Sequence, residues 1–351
     1  MECTLDLYTD YLLISSGLTT ATGLSALYGQ ALSHDKVTRF LTESYLDSRD
    51  VWRAAKPLVR QAEACKSVDD YAVLIVDDCI AEKAHTDANA LIATYWDHSK
   101  RRYVRGVNFV TLFYHLGSVA VPLSVTLVEK TEPVPGKPGS FCSPVSKNEH
   151  LRQMLQVAHQ QVAYAYVLGD SWYSSAENMT FITNTLGRNF VFAVEASRTI
   201  ALSEQERAAG EFMRLDALDF SDKEPKRVYL RAVKEAVLLV RQVFTNKDGS
   251  QGFLYLISSD MSLDYTRMTT IYKKRWKVEE YHKSLKQNAS LTKSPTKKMG
   301  PQANHFFASF LAYLKLEVLK LRHGVGHFRL KSQFYMVGLK AINQELIKMS
   351  A

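Results

Sequence analysis

The chain has 351 residues, room for about two domains, and its 46% hydrophobic and 23% charged content is that of an ordinary globular protein, which excludes disorder. No run approaches the roughly 18 apolar residues a membrane helix needs, and Glu2, Asp6 and Asp10 stand where an export signal carries positive charge, so a cytoplasmic protein is expected. The formal charge of +8 is uneven: −3 over residues 1–70, −1 over 71–262 and +12 over 263–351.

So cationic a last quarter points to a polyanionic partner, most simply nucleic acid, because each neutralised phosphate releases condensed counterions. A basic surface kept for solubility is the bland alternative. Cys3, Cys65, Cys79 and Cys142 are too few and too scattered for a disulfide framework and offer no CxxC zinc spacing.

Residues 1–68 carry helical periodicity, with Ser33 placed as an N-cap and breaks at Gly17 and Gly29, and predict a small helical domain with helix-turn-helix character. From 69 to 194 the pattern changes. YAVLIVD is a short buried strand, and VNFVTLFYHL and SVAVPLSVTLVE, separated by a turn at Gly117, read as a hairpin. A Pro- and Gly-rich loop leads to a helix near 147–162, the strand AYAYVLGD, a helix over SSAENMTFITNTLG and the strand NFVFAVE. The order is β, β, β, α, β, α, β.

Residues 195–263 read as a β-rich insertion whose clearest part is VLLVRQVF, the turn TNKDGSQG and FLYLISSD. A basic helical segment, IYKKRWKVEEYHKSLK, fills most of 264–292. Residues 293–351 are again basic and helical, with FFASFLAYLKLEVLKL a core helix or a subunit contact.

Three acidic positions sit where chemistry gathers in an open α/β sheet: Asp77-Asp78 at one strand end, Asp170 at another, and Glu279 in the basic helix. Brought together, three carboxylates can hold two divalent ions about 3.5–4 Å apart, the arrangement that serves phosphodiester displacement, and hard oxygen ligands select Mg²⁺ or Mn²⁺. Each alone is weak evidence, since an Asp after a strand is commonly a cap or turn former. On a continuous helix, Tyr272, Arg275, Glu279, His282 and Lys286 share an arc of about 80°, beside an apolar stripe of Ile271, Val278 and Leu285. Phosphates lying against that face would explain two cations beside a metal-binding Glu; a plain Arg275–Glu279 pair is the competing view.

The segment YKKRWKVEEYHKSLK fits Y-x2-R-x3-E-x6-K at Tyr272, Arg275, Glu279 and Lys286, and occurs with VDDC and LGDSWY after strands and a β insertion before the Glu. Over about 70–290 the chain resembles the insertion sequence 4 family of bacterial DDE transposases. The resemblance implies an α/β, ribonuclease-H-like catalytic domain interrupted by a β-strand insertion and flanked by helical N- and C-terminal regions. It implies a catalytic and metal-binding triad of Asp78, Asp170 and Glu279. Asp78 is preferred to Asp77 because the family's first Asp is commonly followed by Thr or a similarly small residue, here Cys79. Two Mg²⁺ ions per site are implied, with Mn²⁺ as substitute.

Tyr272, Arg275, Trp276 and Lys286 match residues that hold DNA near the transposon end. The function implied is binding of terminal inverted repeats, strand cleavage and strand transfer, cut-and-paste through a hairpin, by a homodimer on double-stranded DNA at the nucleoid. A catalytically inactive DNA-binding regulator and a nuclease of the same fold are the rivals. The net-acidic N-terminal region departs from the family's use of that region to recognise repeats, although Lys36, Arg39, Arg53 and Lys56 offer local basic faces.

Overall fold

The computed structural model describes residues 1–98, 100–220 and 223–350. Four helices lead the chain: α1 (Leu5–Ile14), α2 (Ala21–Leu27), α3 (His34–Glu43) and α4 (Ser48–Cys65). Their starts follow from side-chain oxygens that accept otherwise orphaned N–H groups, Thr4 for α1, Thr20 for α2 and an Asp47/Asp50 capping box for α4. Ser33 stands at the N-cap of α3 without a side-chain capping bond. Leu12, Leu24, Val37, Val51 and Val59 are fully buried in a hydrophobic core continuous with that of the sheet.

The sheet begins with β1 (Val73–Glu82), β2 (Ala93–Asp97), β3 (Arg102–Leu116) and β4 (Val119–Val128). Val73–Val76 are buried on both faces, as expected for a strand covered by helices. β3 pairs antiparallel with β1 along one edge; along the other it pairs with β2 at its start and β4 over the rest. The β3–β4 turn uses Gly117 at φ +58°, a conformation that costs glycine little.

A minor hairpin, β5 (Glu132–Pro133) and β6 (Phe141–Cys142), interrupts the Pro/Gly loop. Next come α5 (Lys147–Gln161), β7 (Tyr166–Gly169), α6 (Ala176–Thr180) running into a π turn over Phe181–Thr185, and β8 (Asn189–Val194). β7 lies parallel to β1, and β8 parallel to β7.

The segment after β8 supplies β9 (Thr199–Ala201), α7 (Glu204–Ala209), β10 (Met213–Arg214), β11 (Lys226–Leu230), β12 (Val237–Thr245) and β13 (Gln251–Ser258). These strands extend the existing sheet, because β13 pairs with β8, giving eleven strands in the order β10-β9-β11-β12-β13-β8-β7-β1-β3-β2 with β4 on β3. The result is a mixed α/β architecture built on one large mixed sheet.

The chain closes with α8 (Tyr265–Lys273), α9 (Trp276–Asn288), α10 (Met299–His323) and α11 (His327–Ser350). α10 is apolar around its circumference and buries Phe306, Phe310, Ala312 and Leu316 completely, so it is a core helix. Its His305 is held between two elements: the Ser290 carbonyl can only accept, so Nε2 donates to it (3.1 Å) and Nδ1 accepts from the Tyr8 hydroxyl (2.9 Å). Lys83, buried just beyond β1, donates to the carbonyls of Thr292 (3.3 Å) and Ser294 (2.6 Å), fixing the segment after α9 against the sheet. No described helix is long and apolar enough to cross a membrane.

Candidate active site

The parallel register of β1 and β7 pairs Ile75 with Leu168, and two residues further along each strand stand Asp77 and Asp170. Neighbouring parallel strands in register present side chains to the same face, so these carboxyls belong to one face of the sheet. Gly169 makes the approach possible: a Cβ there would lie 3.0 Å from Val76 Cγ1 and 3.1 Å from Phe192 Cε1. Asp170 then caps a 3-10 turn over Ser171–Tyr173, its Oδ1 accepting from the Trp172 amide at 3.0 Å.

Because side chains alternate along a strand, Asp77 and Asp78 diverge. Asp77 lies with Cys79 on the face covered by α9: His282 Nδ1 is 3.8 Å from Asp77 Oδ2, and Lys286 acts on the Cys79 thiol. Asp78, the residue favoured by family resemblance, turns to the α5 side. There it accepts from Lys147 (2.6 Å), Asn108 (3.0 Å) and the Tyr173 hydroxyl (3.1 Å).

The helix carrying Glu279 is not continuous with the one carrying Tyr272. Lys274 and Arg275 form a tight turn whose amides bond three residues back, to Ile271 and Tyr272, and α9 starts afresh at Trp276. The break leaves Arg275 between the elements. Its Nη2 donates to Glu279 Oε1 at 2.5 Å, and its Nη1 lies 3.9 Å from Asp77 Oδ2. One guanidinium thus bridges the carboxylate of α9 and that of β1. Val278 and Leu285 are fully buried, which holds α9 against the sheet with Glu279 at the margin.

The electrostatics record crowding of like charge. Burial first, then the Asp170 carboxylate, pushes the Asp77 carboxyl up to about 7, with Arg275 pulling the other way. Asp170 is raised too, mainly by burial and further by Asp78, against the stabilising Trp172 amide. His282 is driven down to about 3 by burial, with Lys286 adding to the effect, so it is neutral.

Among the described residues no three of His, Cys, Asp and Glu already stand close enough to form a metal cage. The donor set nevertheless fits a divalent cation of the Mg²⁺ class. All three groups are hard oxygen donors, and Asp77, raised by burial and by the neighbouring Asp170, is a carboxyl whose charged form a nearby cation would favour.

Tyr272 is almost buried, with the Arg275 guanidinium 5.7 Å from its ring centre, while Trp276 is 59% exposed. Trp276 lines a groove with Lys277, Lys283, Lys320 and Phe328 along the outer side of Glu279. Lys286 is half-buried beside Cys79. Four residues not singled out in the sequence complete the setting: Lys147, Asn108 and Tyr173 around Asp78, and buried Asn178, whose Nδ2 donates to the Tyr173 carbonyl at 3.0 Å and braces the turn after Asp170. Tyr173 and Asn178 follow LGD closely enough to be suspected; Lys147 and Asn108 carried no local signal.

Two family models match this sequence. One, described as DDE superfamily endonuclease, matches residues 1–211, and one described as transposase DDE domain matches residues 140–315. No curated protein matches it.

Proposed function

This chain belongs to the DDE superfamily of endonucleases and transposases, and from that premise we propose that it is a transposase that cleaves and joins DNA at the ends of its own insertion sequence. The observation that carries the reading is the shared face of Asp77 and Asp170, with Glu279 tied to it through Arg275. Superfamily membership supports DNA as the substrate class. The Tyr-Arg-Glu-Lys spacing supports the insertion sequence 4 type, with terminal inverted repeats as the sequence bound and a hairpin as the intermediate of excision.

In this reading Asp77, Asp170 and Glu279 hold the divalent ions. We assign the position expected for Asp78 to Asp77, because Arg275 and His282 lie within 4 Å of the Asp77 carboxyl. Asp78 then acts as a positioning residue, bonded to Lys147, Asn108 and Tyr173 beside the site. Bound Mg²⁺ or Mn²⁺ would make a water, and later a 3′-hydroxyl, a competent nucleophile and would stabilise the leaving oxygen. Arg275 and Lys286 would grip phosphates, with Tyr272 bracing the Arg275 side chain and Trp276 standing at the groove mouth. DNA contact would free Glu279 from its guanidinium partner. Two ends cut in concert call for two active sites, hence a homodimer on DNA.

The test incubates protein and Mg²⁺ with a duplex carrying the DNA that flanks its gene, and resolves nicks, hairpins and joined products. Hairpins and joined ends support the transposase. Nicks alone indicate a nuclease of the same fold, and specific binding without cleavage indicates a regulator.

A further inference from the structure

One exposed cluster is absorbed by none of these roles. Trp96 on β2 and Tyr103 on β3 stand 5.0 Å apart, centre to centre, at 73°, on the outer end of the β2–β3 hairpin. His98, in the turn, lies 6.4 Å from Trp96 on one side and 6.4 Å from Trp172 on the other. Lys147 Nζ, the group bonded to Asp78, is 5.5 Å from the Trp172 ring. A row of rings therefore runs from the hairpin to the residue two positions beyond Asp170.

Trp96, Tyr103 and Trp172 are 43%, 68% and 56% exposed. Aromatic rings of this size are normally used to fill cores, and the edge-to-face packing here leaves ring faces open to solvent. At the tip Arg101 is exposed at φ +49°, while its neighbours Lys100 and Arg102 pair with Glu82. Open ring faces beside cations, next to a site that acts on a phosphodiester, are the chemistry that recognises unstacked nucleobases.

We propose that Trp96, His98, Tyr103 and Trp172 form a stacking platform for unpaired bases of the DNA strand leaving the carboxylate site. The proposal rests on the reading of the protein as a DNA-cleaving enzyme. It assigns the β2–β3 hairpin a ligand, single-stranded DNA, that the Arg275 and Lys286 face does not require. Stacking is tolerant of sequence and little affected by salt, whereas phosphate contacts weaken steeply as salt rises.

The experiment measures fluorescence anisotropy of the full chain with two labelled probes, an oligothymidylate of about 20 nucleotides and a duplex of the same length. Trp172→Ala combined with Tyr103→Ala is expected to weaken oligothymidylate binding by about tenfold, at low and high salt alike, and to change duplex binding by less than about twofold. The conservative pair Trp172→Phe with Tyr103→Phe is expected to restore binding, which separates lost ring faces from a folding defect. Equal affinities of wild type and alanine variant for both probes, as a protein-docking surface would give, overturn the platform. So does wild-type protein that binds duplex but not oligothymidylate, while leaving the DNA reading intact. Wild type that binds neither probe overturns both.

Discussion

Arg275, at the N-cap of α9, donates a 2.5 Å hydrogen bond to Glu279, four residues ahead of it in the helix's first turn. Both side chains are therefore committed to each other before any substrate arrives. A guanidinium and a metal ion cannot hold the same carboxylate oxygen, so in the proposed site Arg275 would compete with metal until a phosphate drew it away.

If so, metal affinity depends on DNA. Calorimetric titration with Mn²⁺ is expected to give weak binding to the free protein and binding several-fold tighter in the presence of duplex. Arg275→Gln should tighten metal binding to the free protein, by a few-fold to about a hundredfold if the lost bond is worth ~1–3 kcal/mol. The same variant, like Lys286→Ala, should weaken DNA binding and flatten its salt dependence, since phosphate contacts are lost. Metal affinity unchanged in Arg275→Gln would remove the competition.

The divergence of Asp77 and Asp78 separates two substitutions in adjacent positions. Asp77→Asn should lower cleavage by more than about a hundredfold and leave the fold intact, having removed a reacting-site ligand. Asp78→Asn should retain measurable cleavage but lose about 1–3 kcal/mol of stability, because Lys147 loses the carboxylate it donates to. Cleavage and chemical denaturation of both variants decide it; the reverse pattern would return Asp78 to the centre of the site.

The raised Asp77 carboxyl has a pH signature. The native state keeps this proton up to about pH 7, whereas the unfolded chain releases it near the ordinary value of 3.8. Between those limits the native state binds more protons, so metal-free stability falls as pH rises through that window, by up to about 4 kcal/mol. Asp77→Asn carries no such charge. Its melting temperature should move progressively above that of wild type between pH 4 and 7. Parallel curves would contradict the burial of this charge.

His305 works in the opposite direction. Burial holds its imidazole down to about 3, so it is neutral in the fold, while the unfolded chain takes up a proton below the usual 6.5. Stability is therefore complete above 6.5 and lost as pH falls toward 3, at about 1.4 kcal/mol per pH unit. His305→Gln retains a donor for the Ser290 carbonyl and should reduce that slope by about one proton. Urea unfolding at several pH values measures it, and an undiminished slope would place the titration elsewhere.

The sequence pattern places Asp170 at the end of an apolar strand, where the structure has it capping the turn after β7. Asp77 and Asp78 stay ambiguous from sequence: a strand's period of two assigns them to opposite faces, but only tertiary packing determines which face α9 covers. The break at Lys274 and Arg275 is invisible for a related reason, since a 3-10 turn keeps the apolar rhythm of Ile271, Val278 and Leu285. β2 does not stand out in the sequence because it is a short edge strand with half its side chains in solvent. That the 195–263 strands continue the main sheet depends on the β8–β13 pairing, a contact no local pattern encodes. α10 is the converse case: its apolar content left a core helix or a subunit contact open, and the fold buries Phe306, Phe310, Ala312 and Leu316 in the core.

On the proposed reading, Asp77, Asp170 and Glu279 together form a DNA-cleaving site. The most direct measurement compares wild type with Glu279→Gln, scoring Mg²⁺-dependent cleavage and equilibrium binding on the same duplex of the gene's flanking DNA. The account predicts that the variant loses cleavage by more than about a hundredfold while binding within a few-fold of wild type. Cleavage that survives the substitution, or that falls only in proportion to binding, would contradict it.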